Sequence, residues 1–525
     1  MSAEKYETSL YVAHLPSDYV PSRVDIRNAL WDYFGQLARN GQMQLREEEK
    51  GQTINFNRTL IYFRVKDAPA DGIYLLAFLP TGQDTPKWRK TDNQNASRNV
   101  LDFCDMLGPK IAIEVQGGAF TFKRASYSGN VVIDISDWEV ECPYKHPATK
   151  EPLRDFILKT GSTKYEHVYQ CVPKDSVFHV FTDTYIEGGD PLAQLKNMLR
   201  DYGKISLPRS LQIAKEFGEK LDKKQGCVFI FLETPQLLQQ WYKQLKVFFD
   251  SNQIPTQYVN DATITNKMRF PGVKANLLLE MFTKMGRPPI VLQAPEEMFV
   301  NDGFLCLSDI PTVQKKLFGA LFTYSRQGLN VKGEVQIYED IEYETTEESI
   351  EMPEGSVDLL AKKAGALFGS RPLKIDILLT RAWKQENVRR LVASLRNNKV
   401  EVERVYYLSS RTCRFVDEYI ESNVRSLSHP YIILGPKIGF LRTSTDIRFY
   451  PHLFSYYVEL VYPEDKTLQR EDLEKILWLV KRRIYRIQEF HVLKKVEPVY
   501  IFSSVRKMYI GEIKERLAIP LRLLI

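Results

Sequence analysis

The chain is poor in the residues that build metal and redox sites, with six cysteines and seven histidines in 525 residues. Cys104, Cys142, Cys171, Cys227, Cys306 and Cys413 stand 29 or more residues apart. Zinc ribbons and redox pairs need thiols a few residues from one another, so both are excluded at the level of motif. Thiols scattered through a long chain imply a reducing, cytoplasmic setting. HExxH, GxSxG, P-loop and GxGxxG patterns are also missing, which removes the sequence support for most common enzyme classes. No run of about 18 apolar residues occurs, so no membrane-spanning helix is expected. The opening MSAEKYETSLYVAHLP carries acidic residues and no apolar stretch, unlike a signal peptide. Charge of one sign is scarce too. Lys plus Arg number 72 against 66 Asp plus Glu, a net +6 that permits a polyanionic partner without requiring one.

What is present describes a folded, multidomain α/β protein. Apolar residues make up 44% and charged residues 26%, enough for a buried core, and the length suggests roughly three or four domains. Residues 1–165 read as β-rich, with TLIYFRV (59–65), GIYLLAFLP (72–80), the 110–124 stretch and NVVIDISDWEV (130–140) as strands. A helix is expected near 23–40, and the polar TDNQNASRN (91–99) reads as a loop leading into a second helix. From about 170 the pattern alternates. SVFHVFTD (176–183), GCVFIFLE (226–233) and IPTQYV (254–259) read as strands, and 191–203, 235–253 and 274–286 as helices. Such alternation predicts a parallel sheet with crossover helices. A second α/β unit begins near 303. Strands are expected at 303–310, 320–328, 374–381, 400–409, 431–435 and 454–462, helices at 356–368, 386–398 and 472–487, then a strand at 498–503 and a terminal helix.

Charge is unevenly distributed. Residues 339–354 hold eight carboxylates and no basic residue, which reads as a solvated loop. Residues 355–525 hold 31 Lys/Arg against 19 Asp/Glu, a local +12. An electrostatic footprint for a polyanion would lie there, although solvated helix faces give the same count.

One constellation suggests specific chemistry. Tyr242 and Lys246 are four apart on a predicted helix and share a face. Gln257 comes next in a short strand and Lys284 closes the next helix. Two cations, an amide and a phenol brought together would suit a terminal phosphate, the lysines supplying charge and the others orienting hydrogen bonds. Taken singly, the tyrosine reads as a half-buried anchor and the lysines as surface charges. WYKQLKVFFDSNQIPTQYV and KANLLLEMFTKMGRPPIVL, however, resemble the MID domain of Argonaute proteins, especially the prokaryotic and archaeal Piwi-like members. The resemblance implies that Tyr242, Lys246, Gln257 and Lys284 form a pocket for the 5′-phosphate of a guide strand. It also implies that the C-terminal carboxylate, here Ile525, holds a divalent cation (Mg2+) against that phosphate.

The likeness extends over about 170–525. GFLCLSDI resembles the first strand of an RNase H-like PIWI domain, with Asp309 at the family's first catalytic position. KIDILLTRAW resembles the strand that in the family ends in Arg-Asp-Gly; here the triplet is Arg381-Ala382-Trp383. Two-metal cleavage needs a set of carboxylates. Alanine supplies no ligand, so no catalytic residue is assigned, and the resemblance implies a guide binder that does not cut its target. The expected architecture is α/β: a β-rich region at 1–165, a Rossmann-like MID domain at 166–300 and an RNase H-like PIWI domain at 301–525. Arg381, Arg442, Lys481, Arg482 and Arg506 are candidates for contacts to the nucleic-acid backbone. The family further implies a small guide RNA, a complementary target DNA and an effector protein partner in prokaryotic antiviral defence. The region 1–165 would be a docking surface for that partner or a scaffold replacing an N-terminal lobe. Two rivals stand beside this reading. One is an active guided endonuclease; the other is an α/β interaction scaffold that binds no nucleic acid.

Overall fold

The computed structural model describes residues 8–14, 20–48, 51–68, 71–81, 90–115, 118–133, 138–145, 147–152, 155–156, 169–183, 191–221, 226–265, 270–293, 303–310, 316–323, 334–338, 340–345, 349–368, 373–410, 413–417, 427–443, 455–478, 518–520 and 523. The chain forms two compact units. One comprises 1–133, 404–482 and 488–497; the other comprises 134–403, 483–487 and 498–525. These units cut across the boundaries expected from sequence. The 404–482 segment groups with the N-terminal region, and 134–165 groups with residues 166–403.

The first unit shows why. Its seven-stranded antiparallel sheet has the order 44–48, 51–56, 59–68, 73–80, 10–14, 118–124, 110–115. All eight residues of Ile73–Pro80 are buried, because both faces of the sheet are covered. On one face Phe34 of helix Arg23–Arg39 and Phe103 of helix Lys90–Leu107 interlock edge-on or tilted with Phe63 and Phe78 of the sheet. On the other, Leu10, Leu75 and Ala77 pack with Phe415, Ile432, Phe440 and Tyr457. An N-terminal sheet with one face buried under Phe415, Ile432, Phe440 and Tyr457 belongs to the same core as they do. The polar stretch 91–99, read as a loop, lies within the second helix. Ala96, Val100, Phe103 and Leu107 are buried at helical spacing, so the apolar stripe starts inside the polar run.

The second unit carries a four-stranded sheet in the order Gly203–Ile205, Ser176–Phe181, Cys227–Glu233, Thr256–Asn260, parallel throughout as the alternation predicts. All seven residues of Cys227–Glu233 are buried. Helix Pro235–Ser251 comes next, with Thr234 as N-cap and proline in its first turn. Its Leu245 and Phe249 pack on Phe229 and Phe231. Helix Phe270–Lys284 ends in a Schellman motif. Arg287 N donates to Phe282 O at 2.8 Å and Gly286 N to Thr283 O at 2.9 Å, with Gly286 at φ +77°.

The same unit contains Gly303–Ile310, antiparallel to Lys316–Thr323, which is antiparallel in turn to Glu334–Tyr338. On its other side Gly303–Ile310 runs parallel to Leu373–Leu379. Three antiparallel strands beside a parallel one is the arrangement expected of an RNase H-like sheet. The segment Ala518–Pro520, near the chain's end, adds to this sheet against Glu334–Tyr338.

The acidic run corrects a sequence expectation. Residues 339–354 are not simply a solvated loop. Glu344–Thr345 and Ser349–Glu351 pair antiparallel, and Ser349–Glu351 pairs parallel with Ala382–Trp383. Ile341, Tyr343, Ile350 and Met352 are buried. Asp340, Glu351 and Glu354 form ion pairs with Lys363, Lys384 and Arg390. Apolar residues alternating between the carboxylates carry the fold of this segment, a period-2 signal that the charge count obscures. The strand expected at 498–503 and the helix residues after Trp478 lie outside the described residues, as does the terminal segment apart from 518–520 and 523, where 518–520 is a strand and not part of the expected helix. Among the described residues no helix is long and apolar enough to cross a membrane.

Candidate nucleic-acid interface

The four residues singled out in the sequence come from three elements of the parallel sheet unit, with the short helix Asp261–Thr265 between the second and third. On helix 235–251, Tyr242, Lys246 and Asp250 occupy successive turns of one face. Gln257 lies in the edge strand Thr256–Asn260, and Lys284 ends helix 270–284. Both helices pack against that strand.

Gln257 and Lys284 meet directly. Lys284 Nζ donates to Gln257 Oε1 at 3.0 Å and to Thr256 O at 3.1 Å. Gln257 Nε2 donates to Glu280 Oε2 at 3.2 Å. Lys246 Nζ donates to Asp250 Oδ1 at 2.8 Å and to the carbonyl of Leu523 at 2.9 Å. Tyr242 is 37% exposed and sets its ring edge-on to Tyr258, with centroids 4.5 Å apart. Burial, and to a smaller extent the nearby Asp250 charge, holds the Tyr258 phenol well above its usual range, so it stays protonated.

Burial is the informative quantity. Lys246, Gln257 and Lys284 are only 5–6% exposed. Lysines at the surface of a helix are ordinarily solvated, and burying an ammonium is costly unless it is paired and hydrogen-bonded. Here two are buried within one small α/β layer. The pairing that Lys246 makes to Leu523 brings the end of the chain onto the same helix face. No sequence signal announces this contact, because 277 residues separate the partners. Asp250 and Glu280, one helical turn from Lys246 and Lys284, were also missed. Each reads from sequence as an ordinary i,i+4 partner on a helix surface. Ile525 lies outside the described residues, two positions beyond Leu523.

The residues proposed for the nucleic-acid backbone fare differently. Arg381 lies just past strand 373–379 and is partly exposed, with Nη1 2.7 Å from Asp309 Oδ2. Asp309 itself is 5% exposed. The parallel register, Leu307 opposite Leu379, continued by Thr380 N donating to Leu307 O at 3.1 Å, puts Arg381 and Ala382 beside the end of the Asp309 strand. Arg442 is a correction. It is 1% exposed and lies in the first unit, 3.4 Å from the buried Asp417, so its guanidinium is committed to the interior. Its place in a strand whose five residues are all buried explains this. Lys481, Arg482 and Arg506 lie outside the described residues. Among the described residues no group of three His, Cys, Asp or Glu side chains is positioned to hold a metal ion.

Comparison with known proteins gives a sharp contrast between sequence and fold. No family model matches the chain, and no curated protein matches it by sequence. Solved structures do. Aquifex aeolicus Argonaute superposes with a TM-score of 0.53 over 94% of this chain and 83% of its own, at 12% identity. Clostridium butyricum Argonaute, solved with a guide DNA and a 19-mer target DNA, gives 0.54 over 92% and 68%, at 13% identity. Marinitoga piezophila Argonaute, solved with a 5′-hydroxyl guide RNA and target DNA, gives 0.51 over 96% and 100%, at 10% identity. At such identities the likeness speaks for the fold alone. The chain has an Argonaute-like α/β fold, and the matched span takes in most of the N-terminal region.

Proposed function

We propose that this protein is a guide-dependent nucleic-acid binder that anchors the 5′-phosphate of a small guide strand at Lys246, Gln257 and Lys284, with Tyr242 at the mouth of the pocket. One observation carries the reading: two lysines and a glutamine are buried on adjoining elements with the C-terminal segment drawn onto Lys246. A protein that needed these side chains only for solubility would leave them in water. A terminal phosphate would offer Lys284 a charge-assisted bond in place of its neutral acceptors, Gln257 Oε1 and the Thr256 carbonyl. Structures of similar fold that hold guide and target strands support the guide-binding part of this reading, one of them with a 5′-hydroxyl guide.

The guide is RNA and the target DNA in this reading, as in the Marinitoga piezophila complex. Base pairing, not side chains, supplies sequence specificity. The target is bound without being cut. Support for this is the ion pair that Asp309 makes with Arg381, and the alanine at 382. The binding event then engages a separate effector protein in the cytoplasm, as part of prokaryotic antiviral defence. Since one face of the N-terminal sheet is covered by Phe415, Ile432, Phe440 and Tyr457, that region serves as a scaffold lobe. Mg2+ fits only in part. The described pocket carboxylates, Asp250 and Glu280, are hydrogen-bonded to Lys246 and Gln257, and nothing in the binding scheme is derived through an ion.

The test is binding of one RNA sequence with a 5′-phosphate or a 5′-hydroxyl. The phosphorylated guide should bind at least tenfold tighter, and Lys284→Met should remove about 1.5–3 kcal/mol of that affinity, a 10- to 150-fold loss. Affinity should fall steeply with salt as counterions are released. Equal affinity for both guides, with little salt dependence, would leave the interaction-scaffold reading in its place. Metal-dependent cutting of a complementary target that is lost in Asp309→Ala would establish the nuclease instead.

A further inference from the structure

Two of the donors that a guide phosphate would use, Lys246 Nζ and Gln257 Nε2, are already occupied by acidic groups of this chain. Lys246 is held by Asp250, and Gln257 turns its amide nitrogen to Glu280 while its oxygen faces Lys284. Both carboxylates sit one helical turn from a pocket lysine, and their positions differ in one respect. Asp250 is fully buried, whereas Glu280 is partly exposed on helix 270–284. A buried carboxylate paired with a buried ammonium is part of the interior. A half-exposed carboxylate that touches the pocket's amide is free to respond to an entering ligand.

We infer that Glu280 is a specificity-determining residue that holds down the affinity for 5′-phosphorylated strands relative to 5′-hydroxyl ones. The inference rests on the proposed phosphate pocket. Two effects act in the same direction. Glu280 commits the Gln257 N–H donor, so a phosphate must displace it or go without that bond. Its negative charge also lies within one side chain of the phosphate position, and like charges at such a distance repel appreciably where water is partly excluded. A 5′-hydroxyl carries no charge and meets only the first effect. The ratio of the two affinities is therefore what Glu280 sets.

Glu280→Gln removes the charge and keeps an oxygen that can accept from Gln257 Nε2. The probes are a 5′-phosphorylated and a 5′-hydroxyl RNA of one sequence, measured on the full chain at low salt and again at high salt. The expected result is a 10- to 30-fold tighter phosphate-bearing guide, about 1.4–2 kcal/mol by the tenfold-per-1.4 relation. The hydroxyl guide should change less than about twofold. The gain should shrink at high salt as the repulsion is screened. Glu280→Asp keeps the charge and should behave like the parent chain. Retained binding of the hydroxyl guide reports that each variant is folded. An unchanged or lowered ratio in Glu280→Gln, while Lys284→Met still weakens the phosphorylated guide, would overturn the inference and leave the pocket standing. No effect of either substitution would overturn both.

Discussion

Replacing Lys246 with methionine removes the ammonium and keeps most of the side-chain volume. In the structure this ammonium is 5% exposed, 2.8 Å from a fully buried Asp250 carboxylate and 2.9 Å from the Leu523 carbonyl. The lost hydrogen bonds are the smaller consequence. The larger is that the Asp250 carboxyl is left in the interior without the Lys246 ammonium, and breaking a buried pair by removing one partner costs about 3–5 kcal/mol. Removing both charges should cost far less, because well-packed apolar groups replace a buried pair at near-neutral free energy. The double variant Lys246→Met with Asp250→Leu is therefore expected to recover all but about 1–2 kcal/mol of the single variant's loss. Urea unfolding measures the comparison, supported by hydrogen exchange of helix 235–251, since a two-unit chain need not unfold in one step. Both variants should lose the preference for a 5′-phosphate. The reasoning fails if the single variant is destabilised by less than about 1 kcal/mol, or if the double variant is no more stable than the single.

Local geometry has other consequences. Gly286→Ala should cost about 1–2 kcal/mol, visible as a lower urea midpoint, because φ +77° is unfavourable for any Cβ even though nothing lies within 4 Å of it. Gly203→Ala should be more disruptive, since its Cβ would fall 2.2 Å from the Ser176 carbonyl in the neighbouring strand and the strands would have to part. Burial among Phe217 and Phe229, with a smaller contribution from Arg209, pushes His179 from 6.5 down to about 4. The unfolded chain then binds the proton first, so this contribution to stability is present above pH 6.5 and is lost as pH falls from there toward 4. Stability of a His179→Phe variant should decline less steeply across that window, as read from urea midpoints at several pH values.

Elements with a strong period were legible along the chain. The strands 226–233, 303–310 and 400–409 fall within a residue of where β-branched and apolar runs put them, and the parallel sheet agrees with strand–helix alternation. Tyr242 and Lys246 could be placed on one helix face, Gln257 in the strand after it and Lys284 at the end of a later helix, because these are local spacings. The failures are equally physical. The polar run 91–99 hid a helix because its apolar stripe begins at Ala96, and the acidic run 339–354 hid two strands because charge masked the alternation of Ile341, Tyr343, Ile350 and Met352. Arg442 looked like one more cation in a basic third of the chain. Only the fold shows that this cation is buried against Asp417.

The sequence by itself determined which residues could meet a phosphate, since chemistry and helical spacing are written along the chain. Tertiary structure decided what those residues touch before any ligand arrives. It drew the Leu523 carbonyl across 277 residues onto Lys246, set Glu280 against Gln257, and grouped 404–482 with the N-terminal sheet. Such contacts depend on which strands pair and which faces are covered. Those choices are made by the free energy of the whole core rather than by any local pattern.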